Sequence, residues 1–185
     1  MIVTAVLLVW DDGTTLLNGS PLIDHAASVL RGSGVVVSVI LARGTSAHDS
    51  LHAALPQLGA ADVVVLHDVH RPLAPSALVD AVVSAVRDGA VAAVPVVEVT
   101  ETVKEVDAAG RIVRTVPRES LLQVQYPQAV RASALLDRHR SCRPSDPLLP
   151  PGAVTVPGAP DAFAVTTAHD LDLAAAVLAT RGDTP

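Results

Sequence analysis

Val63-Val64-Val65-Leu66-His67-Asp68-Val69-His70-Arg71-Pro72 is a short apolar run that ends in a carboxylate, imidazoles and a guanidinium. Consecutive aliphatic residues without polar alternation describe a strand covered on both faces, which is the habit of parallel sheets. Residues 2–10, 35–41 and 90–97 repeat the pattern as further continuous apolar runs. Between them lie segments with helical spacing and helix punctuation. The first is 21–31, with Ser20 at the N-cap, Pro21 at the first position and Gly32-Ser33-Gly34 after its end. The second is 49–58, with Ser46 as a candidate cap, and the third is 75–87. Buried strands alternating with helices predict an α/β fold with a mostly parallel sheet and helices on both faces. Such sheets bind ligands outside the carboxyl ends of their strands, so Asp68 and Arg71 stand where chemistry is expected.

The pattern changes after residue 98. Val99, Val103 and Val106 alternate with polar residues, Asp107-Ala108-Ala109-Gly110 supplies a turn, and Ile112-Val113 leads to Val116. This reads as a hairpin arm over about 98–123 that projects from the sheet. A two-stranded arm has too little core of its own. It is therefore expected to pack on a second copy, giving a homodimer. Residues 143–160 are rich in Pro and read as an extended excursion around one short strand; 169–180 reads as a closing helix begun at Thr166 or Thr167. All 185 residues are expected to form one domain.

A net charge of -6 argues against nucleic-acid and anionic-membrane partners, which are held through clustered Lys and Arg. Trp10, Tyr126 and Phe163 are the only aromatics, too few for a base-stacking platform. No apolar run approaches the roughly 18 residues of a membrane span, and no basic region precedes the first apolar stretch, so neither a span nor a secretory signal is expected. Cys142 is the single cysteine; it has no internal partner and no basic neighbourhood to activate it, which fits a reducing cytoplasm and an inert thiol.

Taken in order, several blocks resemble the methylerythritol phosphate cytidylyltransferases, which join a cytidylyl group from CTP to a polyol phosphate. His67-Asp68-Val69-His70-Arg71-Pro72 looks like that family's His-Asp-Ala-Ala-Arg-Pro. Pro95 with Glu101-Thr102-Val103-Lys104 looks like its Pro-x-x-Asp-Thr-x-Lys, and Val124-Gln125-Tyr126-Pro127-Gln128 like its Gln-Thr-Pro-Gln, preceded by an arm arginine at Arg118. Arg43-Gly44 to Ser50 echoes the segment that reads the base. The resemblance implies a Rossmann-like nucleotidyltransferase fold. It implies Arg71, Thr102, Lys104 and Arg118 as polyol-phosphate ligands, Gly44, Ser50 and Asp68 as nucleotide contacts, and Asp68 as the candidate ligand of Mg2+ in an active enzyme.

The departures are concentrated on the triphosphate side. The family's Gly-rich loop with its Arg and Lys is replaced by Val9-Trp10-Asp11-Asp12-Gly13, and the first thirty residues contain no Lys or Arg. Tyr126 stands at a phosphate-binding Thr position, and Ala164 replaces a lysine near the C-terminus. Phosphoryl-type transfer rests on positioning and cationic stabilisation, so these losses remove a main catalytic term. The expectation is a divergent member, weak or inactive in cytidylyl transfer, that keeps a half-site for a small phosphorylated ligand. One alternative is an active nucleotidyltransferase using CTP and methylerythritol phosphate or another sugar or polyol phosphate. A second is a metal-dependent hydrolase built on His67, Asp68 and His70, with His48 and His52 at i, i+4 as a further metal-like spacing. The plain readings stand beside these: Asp11-Asp12-Gly13 as a turn, Lys104 as a solvated edge charge, and Arg118 in surface pairs with neighbouring glutamates.

Overall fold

The computed structural model describes residues 1–11, 13–141 and 147–182. The readings that fall on Asp12, Cys142 and the start of the Pro-rich excursion lie outside the described residues. Along the chain run β1 (Val3–Val9), a short hairpin of β2 (Leu16–Leu17) and β3 (Ser20–Pro21), α1 (Leu22–Arg31), β4 (Ser38–Arg43), α2 (Ala47–Ala54), β5 (Val63–Asp68) and α3 (Ser76–Arg87). There follow β6 (Ala92–Glu98), β7 (Val103–Val106), β8 (Ile112–Val116), β9 (Leu122–Val124), β10 (Gln128–Arg131), α4 (Ala132–Ser141), β11 (Val154–Pro157) and α5 (Ala168–Gly182).

The main sheet has the order β11-β6-β10-β5-β1-β4, with β9 pairing to β6. β1 runs parallel to β4 and β5, and β11 parallel to β6. β10 lies antiparallel between β5 and β6. All seven residues of β1 are buried, as the unbroken apolar run requires. One face packs Val3, Leu7, Val65 and Val69 under α1 and α3, whose buried stripes include Leu30, Val79 and Val83. The other packs Val6, Leu8, Val64 and Leu66 under α2 and α4, through Leu51 and Leu135. The fold expectation of a mostly parallel sheet with helices on both faces and a projecting arm is met.

Several local readings are corrected. Pro21 is the N-cap of α1 and makes no side-chain cap bond, so Ser20 does not cap it. The run 35–41 does not form a buried strand; β4 starts at Ser38 and is the sheet edge, with Ser38, Leu41 and Arg43 exposed. An apolar run does not report whether a second neighbouring strand exists. α2 begins at Ala47, with Ser46 Oγ accepting from Asp49 N at 3.1 Å, and gives way to a 3-10 turn at Leu55–Gln57 because Pro56 cannot continue the ladder. α5 is entered as expected: Asp170 Oδ2 accepts from Thr166 N and Thr167 N, and Thr167 Oγ1 accepts from Asp170 N at 3.2 Å.

The arm is a real hairpin, paired Val103 to Val116 with an irregularity after Glu105. Asp107 closes its turn by accepting from Ala109 N and Arg111 N, and Arg114 pairs with Glu105 at 2.6 Å. It contributes nothing to the three buried clusters, and Val106, Ile112 and Val113 are each more than half exposed.

Candidate functional site

β5 ends at Asp68 beside the end of β1, in register Leu8 with Asp68, so the loops after both strands meet at one edge. Asp68 Oδ1 accepts from His70 N at 2.8 Å and lies 3.1 Å from His70 Nδ1. His70 Nε2 is 2.7 Å from Asp11 Oδ2, while Asp11 Oδ1 accepts from Gly13 N at 2.9 Å in a tight Asx turn. Gly13 has φ +62, a conformation that favours glycine. The Trp10 ring lies 5.1 Å from the His70 ring, centre to centre. An imidazole thus bridges two carboxylates, one at the end of β5 and one in the loop after β1. The Asp68 bond, with help from Asp11, outweighs partial burial and raises the His70 pKa to about 9, so it is an imidazolium at neutral pH.

Arg71 is turned inward. Its Nη1 donates to Ala162 O, its Nε is 3.8 Å from Asp68 Oδ2, and its guanidinium carbon is 5.8 Å from the centre of the Tyr126 ring. Tyr126 is buried deeply enough that its phenol is pushed up to about 12. The C-terminal segment closes over this loop: Val165 N donates to His70 O at 2.7 Å, and Arg181 reaches Leu73 O and Asp161. Gln125 holds the same segment from the sheet, donating to Ala159 O at 2.8 Å and accepting from Ala159 N at 3.0 Å. Between the two loops and the start of α5 lies a cavity of about 370 Å³ lined by Asp11, His70, Thr166 and Thr167 on the polar side.

The expected site residues divide into separate groups. Asp68 and Arg71 are together. Gly44 follows β4 and Ser50 stands in the first turn of α2 beside it, buried, with its hydroxyl donating to Val9 O at 2.9 Å. Thr102, Lys104 and Arg118 lie on the exposed arm; Lys104 Nζ bonds Thr115 Oγ1 and Arg118 Nη1 bonds Thr100 O, each at 2.7 Å. No bond among the described residues joins them to Asp68 or Arg71. The hydrolase triplet does not assemble. His67 and Asp68 are neighbours on a strand and point to opposite faces, His67 is fully buried, and both His70 nitrogens already face carboxylates. Among the described residues no group of three His, Cys, Asp or Glu is arranged to hold a metal. Reading the Asp11 turn as a plain turn missed its second oxygen. No local signal pairs residues 11 and 70; only the neighbouring strands do.

Together, a mostly parallel α/β sheet, the antiparallel β10 beside β5, and a cavity at the carboxyl ends of β1 and β5 define a Rossmann-like α/β class of protein. Residues 23–147 match the 2-C-methyl-D-erythritol 4-phosphate cytidylyltransferase family. A protein of that name from Frankia casuarinae is 43% identical over 166 residues, covering 85% of this chain and 61% of the relative, so the chain spans well under the full length of that protein. The Streptomyces avermitilis protein of the same name is 33% identical over 207 residues, with 89% of this chain and 83% of the relative covered. Among solved structures, the Thermus thermophilus 2-C-methyl-D-erythritol 4-phosphate cytidylyltransferase has a TM-score of 0.79 at 25% identity, covering 94% of this chain and 98% of that one. The 4-diphosphocytidyl-2C-methyl-D-erythritol synthase of Anaerococcus prevotii shares the fold at a TM-score of 0.85 and 18% identity, over 96% of both chains. The chain belongs to the 2-C-methyl-D-erythritol 4-phosphate cytidylyltransferase family.

Proposed function

We propose that this chain keeps the polyol-phosphate half of a cytidylyltransferase site and transfers a cytidylyl group from CTP weakly or not at all. The observation that carries this is the charge balance at the strand ends. Asp11 and Asp68 are matched by the His70 imidazolium and the inward-turned Arg71. The cluster is neutral in itself and offers no surplus positive charge to a triphosphate, whose reaction is accelerated chiefly by cations and donors aimed at it.

Magnesium would be the hard-cation partner of an active enzyme, and carboxylate oxygens are the right donors for it. The residues as arranged do not fit it: His70 stands between Asp11 and Asp68, and Asp11 Oδ1 and Asp68 Oδ1 already accept backbone N–H bonds. The reading in which Asp68 and Asp11 hold Mg2+ in an active transferase is the second one. What favours it is the family membership; the point between the two carboxylates is filled by the His70 ring. Gly44, Ser50 and Asp68 would then border the nucleotide. Pyrophosphate release with CTP, methylerythritol phosphate and magnesium separates the two. A rate about a hundredfold or more below that of the Thermus enzyme is expected, the loss typical of one missing stabilising group. Turnover equal to that enzyme overturns the proposal.

The phosphorylated ligand is assigned to Arg71, Thr102, Lys104 and Arg118, with the arm seated on a second copy. Val106, Ile112, Val113 and Leu122 give the arm exposed apolar side chains suited to a homodimer. The chain is expected to sediment as a dimer at micromolar concentration and as a monomer once the arm is deleted; a monomeric full chain would remove this part. Guanidinium suits bidentate contact with phosphate. Arg118→Ala should weaken calorimetric binding of methylerythritol phosphate by about 2 kcal/mol, the size of a charge-assisted bond. Unchanged affinity would return Arg118 to its bond with Thr100. No helix among the described residues is long and apolar enough to cross a membrane.

A further inference from the structure

The strand-end site carries its own counter-ion. His70 Nδ1 lies 3.1 Å from Asp68 Oδ1 and Nε2 lies 2.7 Å from Asp11 Oδ2, so a carboxylate oxygen faces each ring nitrogen. A neutral imidazole has one N–H and one lone pair, and that lone pair would meet the lone pairs of one carboxylate. Only a ring protonated on both nitrogens donates to both sides, so the contacts by themselves make His70 a cation. The backbone fixes it as well: His70 N donates to Asp68 Oδ1 at 2.8 Å, and His70 O accepts from Val165 N at 2.7 Å. The Trp10 ring lies against the imidazole, tilted by 39°, and the His70 side chain is only 12% exposed. A positive charge is thus built into the chain between two carboxylates, which is the usual task of a bound divalent ion.

We propose that the His70 side chain is a built-in substitute for a divalent ion, and that it keeps such an ion away from the carboxylates of Asp11 and Asp68. This rests on the reading that the chain transfers a cytidylyl group weakly or not at all. The oxygens that face the ring are engaged by its two N–H groups. Of the other two, Asp11 Oδ1 accepts from Gly13 N at 2.9 Å, and Asp68 Oδ2 has Arg71 Nε at 3.8 Å. Magnesium needs such oxygens at about 2.0–2.1 Å. It can come between the carboxylates only if the ring leaves, and the charge of the ring repels it. The ring also ties the loop after β1 to the end of β5, as a bridging ion would. Replacing it by a methyl group removes plug, tie and charge together. What remains is two carboxylates with room for water, and one or two carboxylates with several waters is a common way to hold magnesium.

The test is titration of the full chain with manganese in the absence of nucleotide, the free ion being counted by its electron paramagnetic resonance signal. Manganese shares the preference of magnesium for carboxylate and water. The parent is expected to show no saturable binding tighter than about 1 mM. His70→Ala should bind one manganese per chain at least about tenfold more tightly than the parent, because a unit charge about 4 Å from a divalent ion costs more than that factor even at the dielectric of water. Adding Asp11→Asn to His70→Ala should abolish the gain, which ties it to this site. Far-UV circular dichroism and thermal melts establish that each variant is folded. His70→Gln, neutral and nearer in size, carries the same expectation in place of an alanine variant that does not fold. The proposal is overturned if the parent binds manganese and loses it in Asp11→Asn, or if the folded His70 variants bind it no better than the parent. Pyrophosphate release judges the weak-transfer reading and manganese binding judges this one, so either can fail alone.

Discussion

Acidification from pH 6.5 to pH 4 is expected to remove about 3 kcal/mol of folding stability through His67 alone. His67 lies in β5 with no exposed surface, and neither ring nitrogen is in good hydrogen-bonding geometry with a partner. Burial, opposed in part by the Asp68 charge, lowers its pKa to about 4. An unfolded chain protonates this side chain near pH 6.5, while the folded one resists until about 4. Stability from this group is therefore complete above the unfolded value and is lost as pH falls through the interval. His70 has the opposite sign. Its raised pKa means that its contribution is complete below the unfolded value and fades as pH rises through about 9. Urea unfolding across pH isolates the first effect when compared with His67→Leu, which leaves no polar atom unpaired. That variant should show a flatter acid limb between pH 6.5 and 4. An acid limb as steep as the parent's would show that His67 is not the responsible group.

Gly44→Ala should destabilise the fold by about 3 kcal/mol, at the upper end of ordinary overpacking. A Cβ built on Gly44 falls 2.3 Å from Ser50 N and 2.7 Å from the Asp49 carbonyl carbon. Both are backbone atoms of the first turn of α2, so no side chain can swing aside. Gly44 N and Ser50 Oγ also share Val9 O, each at 2.9 Å, which fixes the helix start against the end of β1. The substitution has to push the helix off this grip. Denaturant unfolding measures the loss; a change within a few tenths of a kcal/mol would mean that the loop is free to yield. The same packing explains why the glycine stands there without any ligand being invoked.

The family resemblance was legible because it rests on local blocks: the His67 to Pro72 run, the Thr102 to Lys104 arm segment and the Gln125 to Gln128 turn. The absence of Lys and Arg from the first thirty residues was legible for the same reason. Strand β10 was not. Four residues, Gln128–Arg131, carry too weak a pattern to announce a strand, and they gain their place only because β5 and β6 leave a gap between them. The edge position of β4 was hidden likewise, since hydrophobicity is a property of a residue and exposure is a property of its neighbours.

The sequence by itself therefore determined the α/β class, the strand end that carries Asp68 and Arg71, and the absence of Lys and Arg from the first thirty residues, because composition, periodicity and short motifs are written within a few consecutive residues. Only the tertiary structure decided that Asp11 and Asp68 clasp His70, that Arg71 turns inward onto Tyr126 and Ala162, and that His139 faces His52. Those pairs lie 59, 91 or 87 residues apart in their longest cases, and they meet because burying the two faces of one sheet brings the ends of distant strands and helices to the same edge.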